Sequence, residues 1–230
     1  MTLRPGGTTR GNHSMTDTSR STSLRWLRRA AWAGAAALAL VTGGAMVWRA
    51  NAPNDPPLVV VTGEADVRSD FALTDHTGRP VTEADFAGRW QLVFFGYTTC
   101  PDVCPMTLAY MASVLDLLGD RADRVAPLFI TVDPVRDTVP VMAEYVAAFH
   151  PRLVGLTGTE AQIAEAAQNF RVFYEKMPDA AAPDGYLMAH SGHIYLMNPE
   201  GRFEAVFKEE RQPPEALAEE ILMRVEKADR

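Results

Sequence analysis

The chain has 230 residues, 47% hydrophobic and 22% charged, enough for one domain with a real core and additional segments. Its charge is split: residues 1–50 hold seven arginines, no lysine and one acid (Asp17), leaving 15 basic and 28 acidic residues to the other 180. A body that acidic lacks the basic surface nucleic acid needs, so no nucleic-acid role is indicated.

Residues 1–29 are rich in Thr, Ser, Gly and Arg without apolar periodicity, and read as a disordered basic tail. His13 within it has no role, and Met15 is an alternative start. Arg25, Arg28 and Arg29 then precede an uncharged run over residues 30–48, closed by Arg49. As a helix that run is about 28 Å long, close to the roughly 30 Å of a bilayer core. The arginines keep the tail in the cytoplasm and send the C-terminal part across, to the periplasmic side of an inner membrane. Trp32 and Trp48 stand near the two interfaces. Ala50-Asn51-Ala52 spells a signal-peptidase site, but the run exceeds a signal peptide's apolar region, which favours a retained anchor. Residues 49–57 form a proline-rich linker, and residues 58–230 the folded domain.

In the domain, residues 71–74 and 79–82 read as a hairpin around a turn containing His76. Thr82 starts a short helical turn. Residues 91–96 are an apolar strand and 105–118 an amphipathic helix with Leu108, Met111, Leu115 and Leu118 on one stripe. A strand over 125–132, a helix over 138–149, a strand over 153–156 and a helix over 159–170 follow. Residues 171–177 are strand-like, 178–185 a loop, and His190 stands on a loop. Strands over 193–197 and 203–207 flank a turn, and a helix over 214–225 closes the chain. This alternation predicts a thioredoxin-like α/β fold, a mixed sheet flanked by helices, preceded by a transmembrane helix.

The two cysteines, the only ones present, are Cys100 and Cys104 in GYTTCPDVCP, between the first long strand and its helix. With Pro105 in a first helical turn, the four-residue spacing puts both sulfurs on one helix face. A helix N-terminus favours thiolate over thiol. A structural disulfide is the bland alternative, but closing so short a loop constrains the unfolded chain little. Two thiolates select Cu(I), or Zn(II) given more ligands, and neither a second cysteine pair nor a His-x(3–5)-His is present to complete a zinc site.

GYTTCPDVCP, TVDPVRDT at residues 131–138 and His190-Ser191 before YLMNPEG together resemble the Sco (SenC) family. Those are copper-binding, thioredoxin-like proteins that serve cytochrome c oxidase assembly, and the resemblance covers about residues 58–227. It implies that His190 completes a copper site with Cys100 and Cys104, with His193 as runner-up. It also implies a metallochaperone whose partner is the copper-bearing oxidase subunit or another copper or thiol assembly factor. Family members usually carry an acid just before this histidine, where this chain has Ala189; Asp102 and Asp184 are candidate substitutes. Met106 and Met188 are candidate soft accessory contacts, while Met111 suits the core. Asp133 and Asp137 read as a turn and a local ion pair with Arg136, without a ligand role.

The alternative is a thiol–disulfide oxidoreductase that keeps exported or oxidase-subunit cysteines reduced. The CxxxC spacing, in place of CxxC, argues against general redox traffic. A peroxidase or redox sensor is a weaker third reading.

Overall fold

The computed structural model describes residues 31–35, 37–38, 40–43, 67–182, 184–208 and 212–228. The expected tail, the end of the expected span and the linker lie outside these residues. The chain divides into two units, Met1–Asp55 and Pro56–Arg230. The described residues of the first form one apolar helix, α1 (Ala31–Gly43).

The second unit is built on a seven-stranded mixed sheet. Its strands are β1 (Ala72–Asp75), β2 (Pro80–Thr82), β3 (Trp90–Gly96), β4 (Val125–Thr131), β5 (Val154–Thr157), β8 (Ile194–Met197) and β9 (Phe203–Phe207). The spatial order is β2-β1-β5-β4-β3-β8-β9. The central pairs β3–β4 and β4–β5 are parallel, and the outer pairs are antiparallel. Every residue of β3 and β4 is buried, which explains why these strands read as continuous apolar runs without alternation. Phe94, Phe95 and Phe129 are fully buried there, each stabilising the fold by about 1.5–3 kcal/mol. Two further strands, β6 (Tyr174–Pro178) and β7 (Tyr186–His190), form a separate two-stranded sheet.

The helices are α2 (Val103–Leu118), α3 (Val139–Ala147), α4 (Glu160–Asn169) and α5 (Pro214–Ala228). α2 and the 3-10 turn after it, Val103–Arg124, are together long and apolar enough to cross a bilayer. However, Cys104, Leu108, Met111, Val114, Leu115 and Leu118 of α2 are buried in the domain core, so this is a core helix. α4 carries a capping box: the Thr159 hydroxyl accepts from Gln162 N–H, and the Gln162 side chain reaches back to Thr159 N–H.

Three expectations need correction. α2 begins at Val103, two residues before the expected start, yet Cys100 still lies ahead of it, closing a turn with Tyr97, so only Cys104 is on the helix and the two cysteines do not share a helix face. Arg171 is not in a strand; it has φ 55 and closes α4, with Val172 N–H bonded to Ala167 O. His190 is not on a loop but is the last residue of β7. Tyr186–His190 is a half-buried strand with no clear alternation, so period alone does not reveal it.

Candidate metal centre

β3 leads into the cysteine loop from the middle of the sheet. Its last residue, Gly96, has no side chain for a physical reason: a Cβ there would lie 2.8 Å from Cys104 Sγ and 2.9 Å from Phe129 Cε2. Glycine thus makes room for the sulfur. The loop turns at Tyr97, whose carbonyl accepts from Cys100 N–H, and Cys104 enters the first turn of α2. Cys104 is buried, Cys100 is half-buried, and both are free thiols.

The loop is tied down from below by Asp137, which is fully buried. Its carboxylate accepts from Thr98 N–H at 3.0 Å, from the Thr98 hydroxyl at 2.6 Å and from the Thr131 hydroxyl at 2.5 Å. The Thr131 oxygen itself accepts from Asp133 N–H, which directs its own hydrogen to Asp137. Asp137 does not pair with Arg136. That guanidinium turns to Asp133 at 2.5 Å and Asp184 at 3.5 Å, because adjacent residues of a turn point apart whereas i and i+3 meet.

β7 brings His190 to the sulfurs across 86 residues of sequence, with Nε2 3.4 Å from Cys104 Sγ. The ring lies edge-on to Phe94 and Tyr97, at centroid distances of 6.0 and 5.8 Å. Nδ1 is 3.3 Å from the Ser191 carbonyl, which can only accept, so Nδ1 carries a hydrogen. Nε2 is therefore the nitrogen that donates to a thiolate when protonated, or gives its lone pair to a metal when neutral. The ligand atoms of Cys100, Cys104 and His190 all lie within 4.8 Å of one another, a spacing that can hold one metal ion.

The two thiols hold one proton unequally. Cys100 is pulled down to about 3, first by the hydrogen bond from Cys104, then by His190 and the backbone N–H groups of Asp102 and Cys104, against its burial. Cys104 is pushed up by donating that bond and by burial. Cys100 thus carries the thiolate, as a residue at a helix N-terminus should. Burial and the Cys100 charge push the Tyr97 phenol up to about 12.

Cys100 and His190 open into a cavity of about 540 Å³ lined also by Val103, Met177, Met188 and Lys208. Of the accessory candidates, Met188 lines this cavity, Met106 is half exposed outside it, and Met111 is in the core. Met177, which the sequence reading missed, lines it from β6. Ala189 faces it too, and Asp102 is the acid that lines it, whereas Asp184 is occupied by Arg136. His193 is outside the ligand group; it stacks edge-on to Tyr195, and burial and Lys208 lower its pKa.

A thioredoxin-like α/β domain with a polarised dithiol and an imidazole at the end of its central strand defines a class: a soft-metal or thiol–disulfide centre on an oxidoreductase-type frame. The chain belongs to the SCO1/SenC family, whose model matches residues 60–226. It is 46% identical over 156 residues to the mouse (Mus musculus) Protein SCO2 homolog, mitochondrial, which covers 67% of this chain and 60% of that protein. The chain spans about half to three fifths of the length of the first curated relatives it matches. Among solved structures it resembles Bradyrhizobium japonicum ScoI with copper bound, with 41% identity, a TM-score of 0.64, and 68% of this chain and 98% of that one covered. Arabidopsis thaliana ScoI with copper bound gives 36% identity and a TM-score of 0.65, covering 70% of this chain and 99% of that one.

Proposed function

We propose that this protein is a copper metallochaperone that holds copper through Cys100, Cys104 and His190. It serves assembly of the copper centre of cytochrome c oxidase, with the oxidase's copper-bearing subunit or another copper or thiol assembly factor as partner. The observation that carries this reading is the convergence of two sulfurs and one imidazole nitrogen within 4.8 Å. Family membership and the copper-bound ScoI relatives support it. Two thiolates suit Cu(I), and adding imidazole makes the same set acceptable to Cu(II). Copper is cargo here: the residues take it up, keep it from water on the buried side, and release it through the open cavity.

We further propose that residues 30–48 anchor the chain, 1–29 being a cytoplasmic tail and 49–57 a linker, with domain 58–230 on the periplasmic face of an inner membrane. The arginines before the apolar run and the α1 helix support this. Several relatives are named as mitochondrial proteins. A labelling reagent that cannot cross the membrane should reach Cys100 in intact spheroplasts; labelling only after lysis would overturn the orientation.

A second reading, reduction of a partner's disulfide, is favoured by one observation: Cys100 opens into the cavity with Cys104 packed behind it, and the bond from Cys104 lowers the Cys100 pKa. Anaerobic copper titration of the reduced chain in detergent separates the two. The expected result is one copper per chain in wild type, with Cu(II) retention lost and Cu(I) retained in His190→Ala. Failure of wild type to bind copper would sink the metallochaperone reading and leave the dithiol.

A further inference from the structure

Among the described residues, the hairpin that carries His190 pairs with no strand of the seven-stranded sheet. Its position over the cysteines therefore has to come from side chains. Four residues ahead of Asp137 stands Asp133, in the turn Val132-Asp133-Pro134, and this turn meets the hairpin at Tyr186, the first residue of β7.

The contact is dense. The Tyr186 hydroxyl sits 3.1 and 3.2 Å from the two Asp133 carboxylate oxygens. Arg136 donates from Nε to Asp133 at 2.5 Å and from Nη1 to the Tyr186 carbonyl at 3.3 Å. The same guanidinium lies 3.8 Å from the Tyr186 ring centroid and 5.6 Å from that of Tyr97, the first residue of the cysteine loop. Lys176 of β6 places its ammonium 3.6 Å from the Tyr186 ring centroid, so two cations hold one ring. Asp133, Arg136 and Tyr186 are all largely shielded from water, where such contacts are least screened. Among the described residues Arg136 Nη2 is buried without a hydrogen-bond partner, so the guanidinium is placed by stacking and by its other two donors. A lysine has neither the plane nor the fork to do this.

Tyr186 and His190 stand four residues apart on one strand, hence on the same face. Fixing Tyr186 at one end of β7 fixes the direction in which the imidazole projects at the other. We propose that Asp133, Arg136 and Tyr186 are positioning residues for His190, a latch that determines how firmly the imidazole stands at the sulfurs and so how well the centre holds Cu(II) relative to Cu(I). This rests on the metal-centre reading above. It gives the turn between Thr131 and Thr138 two tasks: Asp137 holds the sulfur half of the centre, and Asp133 with Arg136 holds the nitrogen half.

The test uses the full chain in detergent, as wild type, Arg136→Ala, Arg136→Lys, Tyr186→Phe and His190→Ala. Cu(II) is followed by electron paramagnetic resonance and competition with a chelator, Cu(I) by chelator competition, and the metal-free hairpin by amide hydrogen exchange. Arg136→Ala and Arg136→Lys should lower Cu(II) affinity by about tenfold or more, the range for groups that orient a metal ligand. Their nitrogen coupling should fade toward that of His190→Ala while Cu(I) affinity stays within about threefold, since both thiolates remain. In the metal-free protein, amides of 186–190 should exchange faster and those of β3 and β4 should not change. Tyr186→Phe, which deletes a single hydroxyl, should move the same readouts in the same direction and carries the test should Arg136→Ala not fold. Wild-type spectra and hairpin exchange in the folded Arg136 and Tyr186 variants would overturn the latch while leaving the metal centre standing. A wild-type Cu(II) spectrum in His190→Ala would overturn the metal centre itself, and the latch with it.

Discussion

The two halves of the centre are held by different physics. The sulfur half grows from β3, a strand buried along its whole length, and Cys104 is packed so closely against it that Gly96 can carry no side chain. The nitrogen half is the end of a two-stranded sheet whose outer strand, β6, is exposed from Glu175 to Pro178. Close packing fixes the first half; a few charged and aromatic contacts fix the second. Packed cores yield little to small forces, whereas segments with few buried contacts open at low cost. Both cysteines, the soft candidate ligands, thus stand on the closely packed part of the fold, and His190, the candidate ligand suited to Cu(II), stands on the more exposed part. Under the metallochaperone function proposed above, that division would serve release, because withdrawing the hairpin would weaken the site without disturbing the core.

The largest effect should come from the rigid half. Cys104→Ala should abolish stoichiometric copper binding in both oxidation states, in contrast to His190→Ala, which should spare Cu(I). The substitution removes one buried sulfur and should cost only about 1 kcal/mol of stability. Metal content after dialysis, read beside a urea transition, checks both parts. Cu(I) retained by Cys104→Ala as well as by wild type would mean that the buried cysteine is packing alone.

A pair of glycines gives a finer contrast. In Gly96→Ala the new methyl meets Cys104 Sγ and the Phe129 ring inside 3 Å, so overpacking should cost about 1–3 kcal/mol and displace the sulfur. Gly192 lies just past His190, and there a Cβ would stand 3.7 Å from Val103 Cγ1, ordinary contact. Gly192→Ala should therefore stay within about 0.5 kcal/mol of wild type. Urea midpoints of the two variants make the comparison, and equal losses would contradict the claim that the two halves differ in packing.

The same division marks what the sequence made legible. The strand, cysteine loop and helix are contiguous, and an apolar run followed by prolines announces them. The i, i+4 spacing of the cysteines suggests one shared helix face, but Cys100 precedes the N-cap Asp102, so only Cys104 is on the helix. His190 is legible through resemblance, not pattern: β7 is short, half-buried, and among the described residues pairs with a strand that is itself mostly exposed. The role of Asp137 depends on Thr98, 39 residues away, and that of Asp133 on Tyr186, 53 residues away. Local spacing carries no trace of such contacts. It suggested Arg136–Asp137, an adjacent pair that the turn holds apart.

The smallest effect to look for concerns the carboxylate under the cysteine loop. Burial raises the Asp137 pKa above the ordinary 3.8, while the hydrogen bonds from Thr131 and Thr98 pull the other way without cancelling it. A carboxylate whose folded-state pKa is raised favours the folded state most below its unfolded value, and loses that advantage as pH rises through the raised one. Asp137→Asn keeps the shape and cannot ionise. Wild type should therefore lose stability relative to the variant as pH climbs from about 4 toward neutrality, by a margin set by the size of the shift. Urea midpoints for both proteins across that interval measure it directly. A difference that instead grows in favour of wild type with pH would mean that the three hydrogen bonds to the anion outweigh its burial. Either sign bears on the sulfurs, because an ionised Asp137 leaves a fixed negative charge behind Cys104 that opposes a second thiolate there. That opposition is the smallest of the effects that disfavour a second thiolate, after the bond to Cys100, burial and the Cys100 charge. Under the function proposed above, a cation held between the two sulfurs would offset that repulsion, and the buried carboxylate would then favour the loaded centre over a doubly ionised empty one.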